Sequence, residues 1–147
     1  FLDLMLRLQG SPENPIQIES IRQLIYKLTD MGFMIGMITF DGFQSVDTMQ
    51  ILRRKGYLVE YLSVDRDTKA YSELKTAIYE DRLDYYQHDV LIDELKKVEK
   101  VKHKIDHPRN GSKDCADALA GVVYNLTKMS NWEQPEDNDD VDEVIAV

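Results

Sequence analysis

The sequence predicts an α/β fold, and three observations carry that prediction. Residues 18–31 place Ile18, Ile21, Ile25 and Leu28 at helical spacing, with Leu24 and Met31 widening the stripe. Residues 33–40 follow as a near-continuous apolar run, the pattern of a strand covered on both faces. Helical and extended patterns then keep alternating to residue 128, as helices packed on a sheet require. In such sheets sites collect at the carboxyl ends of strands, and Asp41 stands at the end of the 33–40 run.

In chain order, Phe1–Gln9 alternates partly and reads as a strand with Asp3 inside it, before a loop marked by Pro12 and Pro15. Gly32 closes the first helix where a left-handed residue is wanted. Gly42 and Phe43 make the turn after Asp41, and Ser45 is placed to cap the next helix, with Asp47 in its first turn. Val46, Met49 and Leu52 form its inner side. Arg53, Arg54 and Lys55 close it and Gly56 stops it. Residues 57–64 read as a strand. Asp67 can cap a helix running to about Asp81, with Ala70, Tyr71, Leu74, Ala77 and Ile78 inward. A short strand is expected at Leu83–Tyr86 and a charged helix over 89–100 with Leu91, Leu95 and Val98 on one side. Residues 101–105 read as a strand or extended edge, the stretch DHPRNGS as a loop, and 113–128 as the last helix.

A chain of 147 residues is long enough for one domain with a real core. The formal charge of −9 argues against a nucleic-acid binder until the tail is set apart. Seven acids and no Lys or Arg lie in residues 131–147, so the remainder holds 20 acids against 18 bases. The expected organisation is a domain over 1–129 and an acidic tail over 130–147, whose lack of periodicity predicts disorder. The one cysteine, Cys115, excludes an internal disulfide framework and agrees with a reducing compartment. No apolar run approaches the ~20 residues of a membrane span. No basic-then-apolar leader is present, and an opening at Phe1 in strand-like character suggests a piece of a longer polypeptide. A phosphate-cradling G-x-x-x-x-G-K-[ST] is absent from the sequence, so no ATP site of that type is expected here.

The chemistry concentrates in KDCADALAG, residues 113–121. Asp114 and Asp117 lie three apart and share a helical face with Gly121, Asn125 and Lys128. Cys115, Leu119, Val122, Val123 and Leu126 make the apolar face opposite. The expectation is that these acids meet Asp41 in the fold as a donor set of hard oxygens, suited to Mg²⁺ or Mn²⁺ rather than zinc. Two such ions roughly 3.5–4 Å apart can activate water and stabilise the leaving oxygen of a phosphodiester. A plainer account competes: an acid in a helix's first turn is stabilised by the dipole, and an acid at a strand end is often a turn residue. Cys115 falls on the apolar face as a packed small residue. His103 and His107 lie in an extended stretch, where helical zinc spacing does not apply, and Arg53, Arg54 and Lys55 suit a helix end without any phosphate.

Three segments, ITFDGFQSVDTMQILRRKGY, LSVDRDTKAYSELKTAIYEDRLDYY and KIDHPRNGSKDCADALAGVVYNL, together resemble the C-terminal nuclease domain of tailed-phage terminase large subunits. The likeness runs from about Phe1 to Leu126. It is strongest in FDGFQS and in HPxxGSKDxADALAG, with Tyr71, Leu74 and Lys75 between them. The resemblance implies an RNase H-like mixed sheet flanked by helices, similar to Holliday-junction resolvases. It implies a divalent-metal-dependent endonuclease that cuts concatemeric viral DNA during genome packaging, using Mg²⁺ or Mn²⁺ in a two-ion site.

Carried over residue by residue, Asp41 matches the acid at the end of the central strand, Asp117 the carboxylate on the last helix and Asp114 the nearby assisting acid. Gln44 and Ser45 match a turn with a positioning role, and His107, Arg109 and Lys113 are placed to approach the DNA backbone. The family's first catalytic aspartate lies on a strand upstream of FLDLMLRLQ, so the fold is expected to lack its first strands and one carboxylate; Asp3 does not take that role. The implied partners are double-stranded DNA, an upstream ATPase domain of the same polypeptide, the portal and the small terminase subunit, with no membrane. The implied location is the host cytoplasm, transiently at the prohead portal. Two rivals remain: a non-catalytic DNA- or portal-docking module on the same fold, and a junction resolvase or transposase-type nuclease.

Overall fold

Five helices and two small sheets make up the described part of the chain, which in this computed structural model is residues 1–42, 45–64 and 66–132, with side chains through Met129. In order they are α1 (Ile18–Asp30), β1 (Ile38–Phe40), α2 (Val46–Arg54), β2 (Val59–Tyr61), α3 (Lys69–Tyr79), α4 (Asp89–Lys97), β3 (Glu99–Val101), β4 (Lys104–Asp106) and α5 (Asp114–Trp132). The class is α/β, as the alternating patterns predict. The acidic run and the disorder expected of it, together with Phe43, Gln44 and Asp65, lie outside the described residues.

β1 and β2 pair in parallel, with Ile38 opposite Val59 and Phe40 opposite Tyr61, and α2 is the crossover such a pair needs. β3 and β4 form an antiparallel hairpin closed by Lys102 and His103. Lys102 holds φ 57, a left-handed conformation that Gly or Asn usually marks. Lacking that mark, the sequence reads as one charged helix over 89–100 followed by an edge. The structure instead ends α4 at Lys97 and folds the remainder back as the hairpin.

A single mixed sheet is replaced by these two separate pairs, and two expected strands are absent among the described residues. Phe1–Gln9 joins no ladder: the Leu2 N–H donates to the Asp84 carbonyl (2.8 Å) and the Met5 N–H to the Tyr86 hydroxyl (2.7 Å). These contacts hold Leu2 in the core beside the 83–86 stretch, and a strand assignment needs a run of them. The 33–40 run is likewise paired only over Ile38–Phe40, with Phe33 half exposed and Met34 fully so. Among the described residues β1 has β2 on one edge and no strand on the other, and its three residues are all only partly buried.

Two clusters of buried side chains result. The larger joins α3, α4 and α5 through residues such as Leu74, Leu91, Ala116, Leu119 and Ala120, and also takes in Leu2 and Val64. The smaller has Met49, Leu52 and Val59 at its centre, with Ile25, Tyr26, Ile38, Phe40 and Tyr57 around them. α1 contributes no fully buried residue and is tied to α2 by Arg22, whose guanidinium donates to the Thr48 hydroxyl (2.9 Å). No described helix is long and apolar enough to cross a membrane.

Candidate functional site

A cleft of about 850 Å³ runs between α5 and the stretch that leads into and along β1, and it reaches Asp41 just past the strand's carboxyl end. One wall is residues 34–39 and Asp41. The other comes from α5 and includes Asp114, Asp117, Gly121 and Asn125, with Leu62 and Val64 beyond the end of β2. All three acids singled out from the sequence therefore line one concavity. The apolar face expected on α5 is split by it. Cys115, Leu119 and Val123 are buried, whereas Val122 and Leu126 face the cleft and stay half exposed or more.

The local chemistry of each wall explains its shape. Gly42 follows Asp41 with φ +91, so the chain turns sharply where a side chain would be strained. The Ser45 hydroxyl donates to the Gly42 carbonyl at 2.6 Å, bracing that turn instead of capping α2. Gln44 lies outside the described residues. On the far wall Gly121 brings α5 close to the β2 side, and a Cβ there would stand 3.3 Å from Leu62 Cδ2. The Asn125 amide donates to the Thr39 hydroxyl (3.0 Å), fixing α5 against β1 across the cleft.

Asp117 is the most closely held of these three acids. The Tyr71 hydroxyl donates to its Oδ1 at 2.6 Å and the Lys113 ammonium to its Oδ2 at 2.7 Å. Lys113 is buried, so the structure sets it against Asp117 within the fold and not on an open surface where a DNA backbone could reach it. Asp114 and Asp41 are exposed. His107 turns its Nδ1 to the Pro108 carbonyl (2.7 Å), while Arg109 is exposed on the loop before α5. Arg53 donates twice to the Val59 carbonyl (2.9 and 2.6 Å) and Lys55 lies over the Tyr26 ring, so both have structural partners at the end of α2.

Sequence reasoning missed Glu94. It is buried on α4, and its Oε2 accepts from the backbone N–H groups of Cys115 (2.8 Å) and Ala116 (3.0 Å). Its Oε1 accepts from the Ser112 hydroxyl at 2.8 Å. A carboxylate from another helix thus satisfies donors that α5 leaves open at its start. It also fills the place where the helix dipole would attract a phosphate. One signal pointed to it: Glu94 lies three after Leu91 and four before Val98, inside the apolar stripe of α4. Burial is the main reason the Cys115 thiol is pushed above its ordinary range, and the nearby Glu94 carboxylate adds to it. Asp106, at the end of β4, is held below the usual carboxylate range by its hydrogen bond from Lys104, aided by the His107 N–H.

The three acids suit a hard cation by donor type. Their present spacing is wider: among the described residues no three His, Cys, Asp or Glu side chains stand close enough to ligate one ion. What the arrangement offers is a concave, partly apolar slot with one half-buried carboxylate paired to a lysine and two exposed carboxylates beside it. The chain matches no protein-family model, no curated protein and no solved structure.

Proposed function

We propose that the chain is the RNase H-like nuclease domain of a terminase-type packaging enzyme, cutting concatemeric viral DNA with Mg²⁺ or Mn²⁺. The observation that carries this reading is the convergence of Asp41, Asp114 and Asp117 on one cleft at the carboxyl end of a parallel strand pair. Asp41 comes from one wall and Asp117 and Asp114 from the other, so a bound phosphodiester would lie between acids from separate elements. Asp41 and Asp117 would hold the cation, with Asp114 beside them. When bound, it would supply the Lewis acidity that phosphodiester hydrolysis requires. For Asp117 to take part, the Lys113 ammonium on its Oδ2 would have to give way. Exposed Arg109 and half-buried His107 stand on the loop entering α5, where backbone contacts would position DNA without reading its sequence. The implied partners are those of such an enzyme: double-stranded DNA, an ATPase domain of the same polypeptide, the portal and the small subunit, in the host cytoplasm and at the prohead.

A second reading draws on one specific observation. Both Asp117 oxygens already have protein partners in Tyr71 and Lys113. That suits a docking module on the same fold, bound to DNA or portal, whose carboxylate is structural.

Mn²⁺-dependent nicking of supercoiled plasmid separates the two, using the full polypeptide that the gene encodes and its Asp41→Asn and Asp117→Asn forms. Nicking that both substitutions abolish supports the nuclease. A folded protein that does not nick, or variants as active as the parent, overturns it in favour of the docking module. Preference for four-way junctions over linear duplex would instead indicate a resolvase.

A further inference from the structure

Ser112 stands between two carboxylates. Its hydroxyl is 2.8 Å from Glu94 Oε1 and 3.1 Å from Asp114 Oδ2, and the Asp114 N–H reaches back to the same oxygen at 3.4 Å. Glu94 is buried and fixed by two backbone N–H groups of α5, whereas Asp114 is exposed at the cleft. An exposed aspartate on a first helical turn ordinarily samples several rotamers. Here a rigid, fully engaged carboxylate on α4 anchors a serine, and the serine anchors the aspartate. The hydroxyl has one proton to share, so its hold on Asp114 is light and can be released without disturbing the Glu94 contacts to the helix.

We propose that Glu94 and Ser112 are positioning residues for Asp114. Glu94 sets where α5 begins, and Ser112 passes that position to the Asp114 carboxylate, keeping it on the rim of the cleft. The functional consequence rests on the reading of Asp114 as part of a metal site; the positioning itself does not. Partners that orient a metal-ligating group typically change affinity or activity by about 10–100-fold when removed.

Ser112→Ala is the informative variant, because Glu94 keeps both backbone bonds and the fold is retained. Side-chain coupling constants of Asp114, measured by NMR on the metal-free chain, should report one dominant χ1 rotamer in the parent and averaging in Ser112→Ala. Ser112→Thr, which restores the hydroxyl, should restore the single rotamer. In the nicking assay Ser112→Ala should need about 10-fold more Mn²⁺ for half-maximal rate, with the maximal rate changed far less, the split expected of lost ground-state positioning. An Asp114 rotamer distribution identical in parent and Ser112→Ala overturns the proposal. If the parent cuts no DNA while Asp114 still loosens in Ser112→Ala, the positioning stands and the nuclease reading falls.

Discussion

Leu119 and Leu52 are equally shut off from solvent, yet their surroundings differ. Leu119 sits in the cluster of α3, α4 and α5, where Leu74, Leu91, Ala116 and Ala120 are also buried and partly buried side chains such as Ile78, Leu95 and Tyr124 pack against them. Leu52 sits under the two-stranded sheet, where Met49 and Val59 are buried but Ile25, Tyr26, Ile38, Phe40 and Tyr57 are only partly so. The first region is closed by helix faces that cover one another. The second has strands with one edge unpaired among the described residues and an apolar approach that leaves Met34 in solvent. The candidate cleft lies where the two regions meet, so it has one firm wall, α5, and one looser wall, the run from Met34 through β1 to Asp41.

That contrast can be broken most directly with paired truncations. Leu119→Ala should cost toward the upper end of the about 2–5 kcal/mol range for such changes, because its buried neighbours cannot close the cavity. Leu52→Ala should fall near the lower end, because the half-open side chains around it can relax inward. Urea denaturation of both variants decides the matter, and equal losses would mean that the smaller cluster is as tightly packed as the larger.

The partly buried Lys113–Asp117 pair on the firm wall gives the next largest effect. Lys113→Met leaves Asp117 with the Tyr71 hydroxyl and without its ammonium. Breaking a fully buried pair costs about 3–5 kcal/mol. Asp117 retains some exposure, so a loss of about 1–3 kcal/mol is expected here. Adding Asp117→Asn to Lys113→Met should recover part of that loss, since no uncompensated charge then remains. If the two losses simply add, the ion pair contributes nothing to the wall's stability.

What the sequence made legible follows the same division. The inward faces of α3 and α5, with Ala70, Tyr71, Leu74 and Ala77 on one and Cys115, Leu119 and Val123 on the other, follow from periodicity, while Val122 and Leu126, read on the same apolar face of α5, turn out to line the cleft. The 33–40 run misled for a physical reason: an apolar run signals a covered strand only if partners are there to cover it, and pairing is a long-range property. The Lys102 turn escaped because its left-handed residue is neither Gly nor Asn. Asp41, Asp114 and Asp117 were visible as candidates, and their sharing of one cleft is a fact of tertiary structure. Glu94 was hidden because a carboxylate on a charged helix reads as solvated until its partner, the start of a different helix, is known.

Gly121→Ala sharpens the comparison at the seam between the regions. Alanine is better than glycine inside a helix by about 1 kcal/mol. Against that, the new Cβ would lie 3.3 Å from Leu62 Cδ2, closer than comfortable packing. Leu62 lines the cleft and is only partly buried, so its methyl can move by the few tenths of an ångström needed. The net change should be a gain of less than about 1 kcal/mol. A loss larger than that would show that Leu62 is held in place and that the seam is as rigid as α5.

Cys115 carries the smallest effect and reports on the firm region alone. Burial among the helices of the larger cluster raises its thiol above the ordinary value of 9.0, with the Glu94 charge acting in the same direction. The folded chain therefore keeps this proton at a pH where the unfolded chain releases it. Stability should be indifferent to this group below that value and should decline as pH rises past 9.0, with the decline missing in Cys115→Ala. At neutral pH the same protonated, enclosed thiol should react with iodoacetamide only as fast as the α4–α5 packing opens. If labelling is instead rapid in folded protein, the N-terminal turn of α5 opens independently of the cluster beneath it, and the wall bearing Asp114 and Asp117 is no firmer than the one bearing Asp41.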